Sequence, residues 1–207
     1  MLNLFLDTFV ILFVVVDPIG LTPIFAAITL GGTPEFRRRM AVRGTFIAAI
    51  ILLAFALGGA ALLRLLGIGL PAFQIAGGIL LFLVALDMVF VRQSGIRSTT
   101  EREQREAELK ADVSVFPLAF PLIAGPGALT TVLLMAAKHG QRVEATAVVL
   151  IVVLLVLLLA LVVLLQASRI VRLMGETGAN VITRVLGVVL AALAVQYVLD
   201  GLRTALG

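Results

Sequence analysis

Apolar residues run along this chain in long blocks, separated by short polar stretches. A helix that crosses a bilayer needs about 20 mostly apolar residues. Blocks of that size fall near residues 4–31, 44–63, 71–91, 115–137, 145–167 and 183–202. The pattern predicts an all-α membrane protein of six transmembrane segments. Residues 145–165 hold no charge at all. Two blocks are irregular: the first is too long for one straight crossing, and the fourth contains Pro117, Pro121 and Pro126.

Composition sharpens this picture. The chain is 61% hydrophobic with a mean hydropathy of +1.19. Soluble domains average about 45–50% apolar, so one aqueous core could not hide this much apolar surface. The expected partner of the chain is therefore the lipid bilayer. The pI near 10.6 does not point to nucleic acid, because the arginines form no soluble patch. They sit in short loops beside the spans, where basic residues set orientation. The first loop holds Arg37, Arg38, Arg39 and Arg43. The third holds Arg92, Arg97, Arg102, Arg105 and Lys110, and the fifth Arg169, Arg172 and Arg184. Only Arg64, Lys138, Arg142 and Arg203 lie elsewhere. Basic loops stay cytoplasmic, which predicts odd loops inside and both termini on the periplasmic side. The N-terminus lacks the basic region and cleavage site of a signal peptide, so the first span is expected to remain.

The loops also carry helix signals. Thr33 suits an N-cap, Pro34 the first helical position, and Glu35 the positive dipole end. Residues 92–112 form the one sizeable polar segment, where Thr100 and Glu103 fit a capping box before a run rich in charge pairs. They read as a cytoplasmic linker helix between two halves, residues 1–91 and 113–207, or as a docking segment for a partner.

The halves resemble each other. A shift of 108 residues lays Pro18, Leu21 and Thr22 on Pro126, Leu129 and Thr130. A shift of 109 lays Gly78, Leu81 and Ala85 on Gly187, Leu190 and Ala194, and Asp87 on Gln196. Three spans per half is an odd number, so the second half must run through the membrane opposite to the first. This is the inverted repeat found in many secondary transporters.

The matched positions are where helices should break. Asp17, Pro18, Gly20 and Pro23 cluster in the first span, and Gly125, Pro126 and Gly127 in the fourth. Proline removes a donor and clashes with the preceding turn, and glycine adds freedom. Unwound backbone persists in a bilayer only when buried in protein or lining a wet cavity. The downstream half-helices should begin near Leu21 and Ala128, with N–H groups that can receive a carboxylate. Thr22, Thr130 and Thr131 lie in those first turns. Upstream carbonyls would suit an ammonium group. Two such breaks facing each other would fit an amino acid, whereas one alone would read as a kink.

Ionisable groups inside a span are costly and usually functional. Asp17 is a candidate proton carrier or a structural cap for the second half-helix. Asp87 is a second candidate for proton coupling, or reaches the interface. Gln74 and Gln196 are candidates for interhelical hydrogen bonds, and Gly77 and Gly78 for close helix packing. Enzyme chemistry is not expected. The chain has no cysteine, its one histidine, His139, lies in a loop, and no metal motif or cofactor signature is present. Ser114, Asp17 and Asp87 do not make a hydrolytic site.

At these residues the sequence resembles the MarC family of bacterial membrane proteins. Asp17-Pro18-Ile19-Gly20 with Pro23 is similar to its first signature. The run from Phe120 to Thr130 is similar to its second. Gly175, Gly178, Asn180, Thr183, Arg184, Gly187, Ala194-Val195-Gln196 and Gly201 are similar to its C-terminal pattern. The resemblance covers essentially the whole chain. It implies six spans in two inverted halves in the bacterial inner membrane. It also implies transport: the family includes a proton-dependent transporter of small neutral amino acids such as glycine and alanine, and many members have no assigned substrate. The leading expectation is thus a proton-coupled symporter of small neutral amino acids. The alternative is an exporter of other small metabolites or drugs on the same scaffold.

Overall fold

A computed structural model describes residues 1–90, 112–138 and 142–206. Among them the regular elements are all helical. The first block is two helices, α1 (Leu2–Val16) and α2 (Leu21–Ile28), bent by 41°. α3 (Pro34–Leu65) and α4 (Leu70–Phe90) complete the first half. The fourth block is again a bent pair, α5 (Ser114–Ile123) and α6 (Pro126–Lys138), at 57°. α7 (Val143–Leu165) and α8 (Ala167–Leu206) follow. Four helices are long and apolar enough to span, or six spans if each bent pair counts as one. The blocks read from the sequence therefore reappear as helices, and the two irregular ones are the two bent pairs. The capping box at Thr100 and Glu103, the linker helix and His139 lie outside the described residues.

Two helix starts lie well outside the apolar blocks. α3 begins at Pro34, ten residues before its block, because Thr33 accepts from Phe36 N at 3.2 Å and Pro34 takes the first turn. The basic first loop is thus the first turns of the spanning helix. α8 begins at Ala167, and Gly175, at φ 64 and ψ 171, divides residues 167–174 from the spanning stretch Thr177–Leu206. Only glycine adopts such angles at no steric cost.

α5 is wider than an α-helix. Leu118 N bonds Val113 O at 3.2 Å and Ala124 N bonds Ala119 O at 2.9 Å, both five residues apart. Phe116 and Phe120 are extended, at φ −130, ψ 125 and φ −134, ψ 128. Each precedes a proline, whose ring drives its predecessor out of helical angles.

α6 is the innermost helix. Ala128, Val132, Leu133, Leu134 and Met135 are buried around its whole circumference, as expected of a helix apolar on all sides. It touches α1, α3, α4 and α7. By contrast, α7 presents Ile151, Leu154, Leu158 and Val162 outward, to where lipid would lie.

α4 and α8 run antiparallel in the most extensive helix pairing. Small residues let the backbones close up, since lipid gives no hydrophobic drive between spans and packing must supply it. A Cβ on Gly78 would stand 2.8 Å from Ala194 O and 2.7 Å from Val198 Cγ2. One on Gly187 would stand 3.0 Å from Val89 Cγ2, and one on Gly201 3.1 Å from Pro71 O.

The starts of α3, α5 and α8 share one face. Arg43 pairs with Asp112 at 2.5 Å, and Arg37 donates to Ser168 Oγ at 2.9 Å. Asp112 also caps α5, accepting from Ser114 N at 2.9 Å and Ser114 Oγ at 2.5 Å. The two Ser114 hydrogen bonds, followed by the charges of Arg43 and Arg39, hold the Asp112 carboxyl below its ordinary value.

Two outcomes follow from this packing. Gly78→Leu should lower thermal stability by about 1–3 kcal/mol through overpacking against backbone. Gly58→Leu, with open space around it, should change little; thermal melts in detergent compare the two. The Asp112 carboxyl is depressed in the folded state, so its stabilisation is complete above the unfolded value of 3.8 and is lost as pH falls through the lowered folded value. Melts of wild type and Asp112→Asn should accordingly differ at pH 6 and converge toward pH 2.

Candidate functional site at the paired helix breaks

The first break is built around Asp17. Its φ of 47 and ψ of 66 make it the one non-glycine residue at positive φ among the described residues. Aspartate tolerates this region because its short side chain bonds locally. Asp17 N still donates to Phe13 O at 2.9 Å, which ends α1. The chain then turns, and Asp17 serves the start of α2. Its Oδ1 accepts from Gly20 N at 3.0 Å and its backbone oxygen from Leu21 N at 3.1 Å. Thr22 N reaches Ile19 O at 3.0 Å, and the Thr22 hydroxyl donates to the same oxygen at 2.7 Å. The first N–H groups of α2 are thus filled from within the chain.

This departs from the expectation that both downstream half-helices offer free donors. At α2 the carboxylate is already present, as the Asp17 side chain. Of the two roles open in the sequence, the geometry gives the cap directly.

The second oxygen of Asp17 leads across the molecule. Thr183 Oγ1 on α8 donates to Asp17 Oδ2 at 3.2 Å. Gly20 lies beneath this contact, and a Cβ there would stand 2.5 Å from Thr183 Oγ1. Thr183 was not singled out as a site residue by its chemistry. A threonine at the edge of an apolar block gives little signal, and its partner lies 166 positions away. Two clues point to it: its place in the C-terminal pattern of the family resemblance, and the shift of 109, which sets Thr183 opposite the polar Gln74.

The second break differs. Pro126 takes the first position of α6, two residues before the expected start, where its missing N–H costs nothing. The first helical bond runs from Leu129 N to Gly125 O at 3.0 Å. Gly127 and Ala128 therefore hold N–H groups that fall outside the α6 ladder. Both line a cavity of about 10 Å³, room for one water molecule. Its other walls are Val15, Val84, Pro121, Leu122, Ile123, Gly125 and Pro126. All are apolar or glycine, so its polar character comes from the peptide groups of the break.

The two breaks are neighbours. Val15, two residues before Asp17, lies 3.2 Å from where a side chain on Gly127 would begin, and Leu81 lies 2.9 Å from it. Gly77 takes Thr130 on the same face of α4, where a Cβ would stand 3.0 Å from Thr130 Oγ1. Pro18, Thr22, Thr130 and Thr131 are all buried. Thr131 lies against the buried phenol of Tyr197, a neighbour the sequence did not suggest.

Other candidates stand apart. Asp87 is six residues beyond Leu81, about 9 Å farther along α4, and is half-buried. Gln74 is 5% exposed, and its Nε2 has no hydrogen-bond partner among the described residues. Gln196 is exposed and donates to Asp200 Oδ1 on its own helix at 2.7 Å. The expectation that Gln196 bonds across helices is therefore replaced by an intrahelical bond. No group of three metal-ligating side chains occurs among the described residues.

Asp17→Ala should cost about 1–2 kcal/mol of stability, as for loss of a side-chain cap. Asp17→Asn keeps an acceptor for Gly20 N and should cost much less. Thermal melts of the two variants in one detergent measure the difference.

Comparison with known proteins agrees that the chain is an integral membrane protein. The profile of the MarC family of integral membrane proteins matches residues 2–206. A membrane protein of Archaeoglobus fulgidus is 36% identical over 202 residues, covering 97% of this chain and 93% of its own. The membrane protein YvbG of Bacillus subtilis is 35% identical, covering 98% and 96%. The inner membrane protein YhgN of Escherichia coli is 34% identical, covering 98% of each chain. No solved structure matches the chain. With the profile spanning nearly every residue, the chain belongs to the MarC family of multi-pass integral membrane proteins.

Proposed function

We propose that this chain is an inner-membrane secondary transporter that carries small neutral amino acids, of the glycine and alanine size, together with protons. The observation that carries the reading is the pair of neighbouring helix breaks with unequal chemistry. One break holds its own carboxylate, Asp17, while the other leaves the N–H groups of Gly127 and Ala128 outside the helix ladder, against a small cavity. A substrate carboxylate fits the start of α6, where N–H groups outside the helix ladder and the positive dipole end coincide. The tight surroundings of Gly20 and Gly127 favour a small substrate. The cavity has room for about one water, less than a glycine or alanine needs, so loading requires the walls to move apart.

The inverted-repeat reading, with halves 1–91 and 113–207 joined through 92–112, draws support from reciprocal packing. Gly78 meets Val198, and Gly187, its counterpart at a shift of 109, meets Val89, the counterpart of Val198. Such exchange is what a two-fold relation between α4 and α8 produces. The orientation reading, with both termini periplasmic, draws support from the polar ties that gather the basic starts of α3 and α8 with the start of α5 on one face. The relative YhgN is named an inner membrane protein. Asp17 is the proposed proton-linked group, because it couples the first break to α8 through Thr183. The reading assigns the chain no catalysis.

Labelled glycine and alanine should enter proteoliposomes of the purified protein, faster with an inward proton gradient. Asp17→Asn should reduce gradient-driven uptake roughly tenfold or more, the scale of one hydrogen bond to a charged group. Folded, reconstituted protein with no uptake or efflux of either amino acid would refute the substrate class. Uptake indifferent to pH and to Asp17→Asn would refute the coupling.

A further inference from the structure

The starts of α3 and α8 meet at Ser168. Arg37 Nη1 donates to Ser168 Oγ at 2.9 Å, and Arg172 Nε donates to Ser168 O at 3.2 Å. Two guanidinium groups thus converge on one serine. Neither has a carboxylate within salt-bridge distance among the described residues, where the one ion pair is Arg43 with Asp112. Arg37 Nε is also sealed from solvent and has no hydrogen-bond partner among the described residues. Two like charges that share Ser168 as a contact repel, and a donor without an acceptor is costly. An anion between the two arginines would relieve both.

The surroundings say which anion. Residues 167–174 form a short helical stretch set off from the spanning stretch by the Gly175 break. Leu173, beside Arg172, is 86% exposed, and Met174 follows it, also exposed. Cationic heads next to outward apolar side chains suit the boundary between headgroups and acyl chains. Arg38 and Arg169 are exposed and add positive charge on these two helix starts.

We propose that Arg37 and Arg172, joined through Ser168, form a binding site for the phosphate of an anionic phospholipid, with Leu173 and Met174 against its acyl chains. The planar fork of arginine matches phosphate oxygens two at a time. Bound there, the lipid bridges the first helix of one basic loop to the interfacial stretch of another. This inference needs only that the chain lies in a membrane, and it stands apart from the transport reading.

Native mass spectrometry of the full-length protein, titrated with phosphatidylglycerol or phosphatidylcholine, tests it. The wild type should bind the first phosphatidylglycerol more tightly than phosphatidylcholine. Arg172→Gln should weaken that preference roughly fivefold, and Arg37→Gln with Arg172→Gln should remove most of it, on the scale of one surface charge each. Ser168→Ala, which cuts the tie but keeps both charges, should retain most of the preference. Size-exclusion profiles establish that each variant is folded, and Arg172→Gln alone serves if the double variant is not. An unchanged preference in Arg172→Gln would overturn the proposal. Inorganic phosphate that displaces the first phosphatidylglycerol at equal concentration would overturn the lipid assignment.

Discussion

A peptide N–H or C=O left unpaired in hydrocarbon costs several kcal/mol, and this chain breaks two of its spanning helices. Everything near the breaks answers that cost. At the first, Asp17 is turned to positive φ so that one residue can close α1 and open α2. At the second, proline supplies a helix start with one donor fewer, and glycines bring walls close. α6, which starts at the second break, is walled in by helices on every side. The outer spans face lipid with aliphatic side chains and need no such devices.

The same constraint explains why so much of the fold could be read from the sequence. In lipid, apolar blocks of about 20 residues must satisfy their backbone groups internally as helices, so hydropathy locates the spans, though not always their ends. Pro18, Gly20, Gly125 and Pro126 located the breaks because few residues can end a helix there. Contacts across the molecule carried no such local signature. Thr183 reaches Asp17, and Val15 faces Gly127, through tertiary packing that one chain of letters does not encode pairwise. The early start of α3 was legible in Thr33 and Pro34, yet hydropathy placed the span ten residues later, because arginines extend a helix without extending its apolar block. Gln196 was misjudged for a local reason: Asp200, one turn on, offers a nearer partner than any other helix.

The two breaks are related in sequence but not in chemistry. One is closed by its own acid and tied to α8; the other ends in peptide donors against a space for one water. On the proposed transport reading this inequality matters, since a carboxylate and a set of peptide donors lie near one another and a ligand can be added to only one of them. α4 and α8 pack closely through their glycines, beside the broken helices. On the proposed reading the second break is a wet, ligand-accessible site inside the membrane.

Because the chain has no cysteine, single cysteines can probe that claim directly. The measurement is labelling of Ala128→Cys by a water-soluble thiol reagent in membranes, beside Ile151→Cys on the outward face of α7. Ala128→Cys should react, glycine or alanine should slow that reaction, and Ile151→Cys should stay inert. A cysteine at 128 as unreactive as the one at 151, in folded protein, would contradict it.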